Sequence, residues 1–212
     1  MLRRGLYIFT LLVFAAAVGW AQPPRVSNAK LETRTATPSL EKAFRATTQA
    51  QMGPAWVAYA VPSNAPHRQM CCGNWSEGHS QGSGYCRRCS LEKDSGFSTD
   101  SGEGSTKLEG SSRIFVLFRV ENGRVGRILA ISEDCELDAG GRWFFWLGDV
   151  SAAESVRLLT PSATAAAEEG DDRVGHSALA VIAFNGDPAA DRALQSFVAP
   201  TQPVGLRRQA AF

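Results

Sequence analysis

The sequence predicts an α+β fold, in which an antiparallel β meander with flanking helices is followed by the start of a helical repeat array. Three patterns lead to this prediction. Large and small residues alternate over residues 56–61 and stop at a proline, which is typical of a strand. Residues 113–131 form two apolar runs around an Asn-Gly pair, which favours a tight hairpin turn. Residues 173–212 carry apolar positions at helical spacing.

The first 21 residues have the pattern of a cleaved secretory signal peptide. Arg3 and Arg4 form a short basic region, Leu6–Val18 is uncharged, and Gly19-Trp20-Ala21 places small residues before a cleavage point. The apolar run is shorter than the roughly 20 residues that a membrane-spanning helix needs. We therefore expect an exported protein, periplasmic or extracellular, with no membrane contact after signal cleavage.

Charge and cysteine content narrow the possible functions. The 212 residues include 22 Lys and Arg against 21 Asp and Glu, a net charge of +1, which argues against nucleic acid as a partner. Five cysteines in an exported chain favour a disulfide framework, and the odd number leaves at least one outside it.

Composition shifts along the chain suggest its domain organisation. Residues 22–37 are polar and lack periodicity, and residues 161–172 are rich in Ala, Thr and acidic residues, so both segments are predicted linkers. The predicted plan is a signal peptide at 1–21, a linker at 22–37, an α+β cysteine-containing domain at 38–160, a linker at 161–172 and an incomplete helical repeat at 173–212.

Further elements are predicted inside the α+β domain. A helix begins near Leu40, and a second strand pair is formed by Cys135–Leu137 and Trp143–Leu147, with a Gly-Gly turn between them. Ser151 and Glu154 form a capping box, in which hydroxyl and carboxylate each accept from an amide of the first turn, and the helix extends through Leu159.

The C-terminal segment reads as short amphipathic helices. Asp187-Pro188 caps and opens the second helix, and Pro203 opens the third. Leu179 and Leu206 keep the same separation as Ala183 and Ala210, which indicates a repeating helical unit. One face of the first helix carries Val174, Ala178, Val181 and Ile182, and the second repeats this spacing with Ala190, Leu194, Phe197 and Val198.

With these elements in place, the chain resembles the N-terminal part of secreted bacterial HEAT-repeat proteins. The resemblance rests on the strand Trp56–Pro62, the cysteines of residues 71–89, the segment Asp134–Gly141 and the repeat-like part Ala178–Phe212. It implies the start of a HEAT-like α-solenoid. The sequence stops at Phe212 inside the third predicted helix, so we expect a truncated gene product, because solenoids need about three repeats and a polar cap.

A solenoid presents a concave surface suited to protein recognition. The first functional hypothesis is therefore a non-enzymatic exported scaffold with a protein partner and no cofactor. Its candidate interaction-surface residues are Trp143, Phe145, Arg207 and Arg208. The aromatic run Trp143–Trp146 has side chains on both faces of one strand; one face joins the core, and the other is covered by a helix or exposed to a partner.

The cysteine loop supports a second hypothesis. Disulfides among Cys71, Cys72, Cys86 and Cys89 would close a Gly/Ser-rich loop, and export favours this interpretation. Alternatively Cys72, Cys86 and Cys89, with His79 or Cys71, could bind zinc tetrahedrally in a metal-binding or sensor-type domain.

Two weaker patterns remain. Gly78-His79-Ser80-Gln81-Gly82 matches the G-x-S-x-G elbow of serine hydrolases, but its flanks are neither a buried strand nor a helix, and only His176 follows. Asp134, Glu136 and Asp138 alternate and could hold calcium, although a solvated strand face beside a Gly-Gly turn is the simpler interpretation. Cys135 then lies in the core as the odd cysteine.

Overall fold

A computed structural model describes residues 23–64, 70, 85–92, 105–107, 112–169 and 172–211. Its central feature is a six-stranded mixed sheet in the order β1-β8-β2-β6-β7, in which β4 also pairs with β8. The strands are β1 (Val26–Thr33), β2 (Ala55–Pro62), β3 (Tyr85–Arg87), β4 (Cys89–Ser90), β5 (Ser105–Lys107), β6 (Arg113–Glu121), β7 (Arg124–Ser132) and β8 (Leu137–Asp149). The helices are α1 (Leu40–Gln49), α2 (Ala152–Glu169), α3 (Asp172–Phe184), α4 (Pro188–Phe197) and α5 (Val204–Ala210).

The molecule is α+β, but the predicted antiparallel meander followed by a solenoid is wrong. β8 is parallel to β1, β2 and β4, whereas β6 is antiparallel to both of its neighbours, β2 and β7. The Gly-Gly pair does not end a strand: Gly140 and Gly141 have φ of 58° and 80° inside the continuous β8. The register moves from Ser27↔Asp138 to Ala29↔Arg142, so the glycines lie in a bulge that keeps the strand unbroken.

Two predicted linkers contain regular structure. Residues 26–33 form β1 within the predicted linker 22–37. Helix α2 continues past Leu159 to Glu169, with Pro161 inside it, and so occupies most of the predicted linker 161–172. Composition without apolar periodicity was the basis of both linker predictions, but residues 26–33 pair with β8 as a strand and the extended α2 packs on α3.

Other local predictions agree with the structure. β6 and β7 pair antiparallel around Asn122 and Gly123, whose φ values of 50° and 73° match the tight turn that the Asn-Gly pair predicts. The Ser151 hydroxyl accepts from the Glu154 amide at 3.3 Å, as in a capping box. The Glu154 carboxylate instead accepts from the Ser151 hydroxyl at 3.0 Å and from the Leu40 amide of α1 at 3.4 Å. One carboxylate therefore links the starts of two helices.

The C-terminal helices occur where the periodicity places them, but they do not stack as an extended solenoid within residues 172–211. Asp187 accepts from the Ala189 amide at 2.7 Å and caps α4, and Pro188 occupies the first turn. The apolar faces of α2 to α5 instead join one core with the sheet. Periodicity identifies a buried face but does not identify the surface that buries it.

The sheet separates two hydrophobic cores. The first lies against the helices and contains Phe44, Tyr59, Phe118 and Phe145 together with apolar residues of α2 to α5. The second lies on the opposite face and contains Trp56, Phe115, Leu117, Phe144, Trp146, Cys89, Leu91 and Cys135. Both faces of the sheet are therefore covered near its centre. Within the described residues, no helix is long and apolar enough to cross a membrane.

Candidate functional site

The cysteine loop is described only at its C-terminal end. Cys71, Cys72, His79 and Ser80 lie outside the described residues, as does the side chain of Cys86. Cys89 is buried in the second core and is disulfide-bonded. A cysteine in a disulfide has no thiolate to offer a metal, so this state of Cys89 favours the disulfide interpretation at that position.

Cys135 is a buried core thiol. Its side chain is 0 % exposed, and its sulfur donates to the Met70 carbonyl at 3.3 Å. Burial raises the pKa of this thiol to about 12, with a smaller contribution from the Asp134 carboxylate. A thiol with such a high pKa stays protonated at neutral pH and is a poor nucleophile.

The three alternating carboxylates do not converge. Asp138 accepts from the Asn28 side-chain amide and from the Gly140 main-chain amide, both at 2.9 Å. Glu136 faces Arg25 at 3.8 Å and Arg88 at 4.0 Å. Across the described ranges there is no group of three or more His, Cys, Asp or Glu side chains that could hold a metal ion.

The remaining sequence-predicted residues lie apart from one another. His176 is exposed on α3. On α5, Arg208 is exposed and the Arg207 guanidinium donates to the Gln202 carbonyl at 3.2 Å. The arginine pair and the aromatic run are on different elements and do not form one surface in the described structure.

The aromatic run is divided between the two cores. Phe144 and Trp146 enter the second core, and Phe145 is 0 % exposed in the first core. Phe145 is therefore not available as the interaction residue that the sequence predicts, because the Arg34 guanidinium covers its ring at 4.5 Å. Trp143 alone in this run is accessible, with 41 % of its surface exposed.

The Trp143 side chain lies near one edge of the sheet and is held by contacts with two neighbouring side chains. Its ring stacks on that of Phe145 with centroids 5.8 Å apart and an interplanar angle of 7°. The Lys30 ammonium of the neighbouring strand β1 lies 5.7 Å from the Trp143 centroid. Because two groups on two strands hold the ring, Trp143 presents a fixed apolar surface to solvent.

β1 forms the outer edge at this point, and it pairs only with β8 among the described strands. The Arg34 amide donates to the Trp146 carbonyl at 2.8 Å, so the main-chain N–H of Arg34 points toward β8. The main-chain groups of successive residues in a strand point alternately to its two sides. Ala29, Leu31 and Thr33 therefore direct their N–H and C=O groups away from β8. Leu31 also exposes 46 % of its surface. We call residues 29–33 with Trp143 the β1 edge surface.

A polar cluster that sequence reasoning missed lies on the second face. The Glu92 carboxylate accepts from Trp56 Nε1 at 2.8 Å, from Arg119 Nε and Nη2 at 2.8 and 3.1 Å, and from Arg142 Nε at 3.1 Å. Burial opposes its ionisation, but the hydrogen bonds from Arg119, Trp56 and Arg142 outweigh burial and lower the pKa of Glu92. These three donor residues are on β2, β6 and β8, so the cluster anchors residue 92 to three strands of the sheet.

Gly140 is part of this anchor. A Cβ added at Gly140 would lie 2.9 Å from the Glu92 Cγ, whereas one added at Gly141 would meet nothing within 4 Å. Both glycines have positive φ, so alanine costs about 1 kcal/mol of backbone strain at either position. We expect Gly140→Ala to lower the free energy of unfolding by at least about 1 kcal/mol more than Gly141→Ala, since it also displaces Glu92. Urea denaturation measures both, and equal losses would show that Glu92 is not held rigidly.

A shallow cleft opens where β1, β4 and β8 begin. Arg25, Ser27, Arg88 and Glu136 contribute to its lining, and its volume is about 230 Å³. Both guanidiniums in its lining face the single carboxylate of Glu136, Arg25 at 3.8 Å and Arg88 at 4.0 Å. Its residues do not form a catalytic arrangement.

Comparisons with protein-family models, with curated protein sequences and with solved structures find no match to this chain. The resemblance to secreted HEAT-repeat proteins remains a prediction from sequence. The functional argument therefore depends on the geometry of the chain itself.

Proposed function

We propose that this protein is an exported, non-enzymatic interaction protein that binds a protein partner through the β1 edge surface. One observation carries the proposal: an outer strand whose outward main-chain groups pair with no other described strand lies beside a rigidly supported, exposed tryptophan. Edge strands bind extended polypeptide by adding a strand, and fixed aromatic side chains commonly dominate the energy of protein interfaces.

The chemistry of the surface favours protein over other partners. Leu31 and Trp143 supply exposed apolar area, and the outward groups of β1 supply main-chain donors and acceptors. The chain has a net charge of +1, which provides little attraction for the phosphates of a nucleic acid. No cofactor is part of the proposal. Export, predicted from residues 1–21, places the partner in the periplasm or outside the cell.

Site-specific photo-crosslinking tests the proposal in the exporting cell. Thr33 is exposed and its main chain faces outward, so a benzoylphenylalanine at position 33 reports contacts at the edge while Trp143 stays intact. The matched control is the same residue at Val204, which is 69 % exposed at the start of α5, a helix that packs on α2, α3 and α4. We expect a discrete protein adduct from position 33 and none from position 204.

A second experiment combines Trp143→Ala with benzoylphenylalanine at position 33. Loss of a central aromatic anchor typically costs about 2 kcal/mol or more of binding, so the adduct yield should fall at least tenfold. If position 33 gives no adduct, or the same adducts as position 204, the edge is not a protein-binding surface and the proposed function is wrong.

A further inference from the structure

The β1 edge has a sequence that complements itself. When two copies of residues 29–33 run antiparallel about a twofold axis through Leu31, Lys30 of each copy lies opposite Glu32 of the other. We propose that the partner at this edge is a second copy of the chain, so that two sheets join through β1 into one continuous sheet. This inference rests on the proposed function of the β1 edge surface and names its occupant.

The hydrogen-bonding pattern fits this register. Antiparallel strands alternate between pairs that exchange both N–H···O bonds and pairs that exchange none. The main-chain groups of Ala29, Leu31 and Thr33 face outward, because the Arg34–Trp146 hydrogen bond shows that Arg34 and the residues alternating with it face β8. In the proposed register Leu31 faces its own copy, and Ala29 faces Thr33. All bonded pairs are therefore formed by outward-facing residues.

The charged residues then fall at the non-bonded pairs, where opposite side chains come closest. Lys30 and Glu32 are on the same face of the sheet as Trp143 and Phe145, because β1 pairs in the register Lys30↔Trp143 and Glu32↔Phe145. In a single copy the Lys30 ammonium lies over Trp143 of β8, so its flexible side chain turns outward from that ring when it reaches Glu32 of the second copy. Glu32 contacts Arg34 at 2.7 Å and can accept from Lys30 of the second copy with its other oxygen.

Leu31 supplies the apolar part of the contact. It projects from the opposite face of β1 and is 46 % exposed in a single copy. On the twofold axis it meets Leu31 of the second copy, so both exposed side chains become buried together. A charged edge strand generally resists pairing with other chains. In this register the same charges instead select an identical strand and penalise a strand without the Lys-x-Glu spacing.

Two charge reversals test the register directly. In the proposed dimer, residue 30 of each copy faces residue 32 of the other. Lys30→Glu therefore places two carboxylates opposite each other at both of these pairs, and Glu32→Lys places two ammonium groups there. By sedimentation velocity, we expect the wild-type exported protein to dimerise reversibly and each variant to dimerise more than tenfold more weakly. An equimolar mixture of the two variants should dimerise again, because every carboxylate of one then faces an ammonium of the other.

The mixing step separates an interface effect from damage to the fold, since a misfolded variant is not rescued by another. Lys42→Glu is the matched control: it makes the same charge change at an exposed position of α1 and should leave dimerisation unchanged. Leu31→Pro removes one outward amide and should abolish the dimer while the β1–β8 pairing remains.

The outcomes also distinguish this inference from the proposed function. A wild-type protein that stays monomeric at its solubility limit, or a mixture of variants that stays monomeric, overturns the self-pairing. If crosslinking at position 33 then yields an adduct with a different protein, the edge still binds a partner. An adduct of twice the chain mass that disappears in Lys30→Glu supports the second copy.

Discussion

Phe118→Ala is expected to lower the free energy of unfolding by about 3–5 kcal/mol, the largest effect among the substitutions considered. Phe118 is 1 % exposed at the centre of the helix-side core. Its ring contacts Phe44 of α1 edge-on with centroids 4.7 Å apart and lies 5.8 Å from Tyr59 of β2. Its removal leaves a cavity between the sheet and the first helix.

Chemical denaturation followed by circular dichroism measures this loss. Met52→Ala, at a side chain that is 78 % exposed, is the control and should change the free energy of unfolding by less than about 0.5 kcal/mol. A loss below about 1 kcal/mol at Phe118 would show that α1 does not pack on the sheet as described.

Glu92→Gln is expected to cost about 2 kcal/mol of stability, because it removes the charged acceptor shared by Trp56, Arg119 and Arg142. The Glu92 and Arg119 side chains are only 20 % and 21 % exposed, so water compensates little for the loss. Glu121 contacts the same arginine at 3.5 Å but is 55 % exposed. Glu121→Gln is therefore the matched control, with an expected loss below about 0.5 kcal/mol.

The same substitution has a defined pH dependence. The folded-state pKa of Glu92 is lowered, so its contribution is fully present above the unfolded pKa of about 4.3 and is lost as the pH falls through the folded value. The stability difference between wild type and Glu92→Gln should thus be constant near neutrality and shrink in acid. Urea titrations between neutral and acidic pH measure it. A difference that grows in acid would contradict the assigned hydrogen bonds.

Local patterns in the sequence were sufficient for several elements. The hairpin of β6 and β7 follows from the Asn-Gly pair, and the starts of α2 and α4 follow from Ser151 and Asp187, because these signals act within a few residues. The same patterns could not give the sheet order. β1 is a polar edge strand without alternation, and Gly140-Gly141 has the composition of a turn but forms a bulge.

The candidate site shows the same limit. Alternation correctly puts Trp143 and Phe145 on one face, but only the fold shows that Arg34 covers one ring and leaves the other exposed. Glu92 is one of several acidic residues in a Gly- and Ser-rich region, and its partners are on three strands distant in sequence. No local signal identifies it, since the arrangement exists only after the strands have paired.

The position of β8 determines the order in which the chain can assemble. β8 is the last strand in sequence, yet it lies between β1 and β2 and is parallel to both. During synthesis, only the β2-β6-β7 part of the sheet can form before residue 137 is available. Pairings between such distant segments slow folding, and incomplete sheets expose edges that promote aggregation. A nascent chain that pauses before β8 therefore exposes an unpaired β2 edge, which we expect to favour non-native strand pairing until β8 is complete.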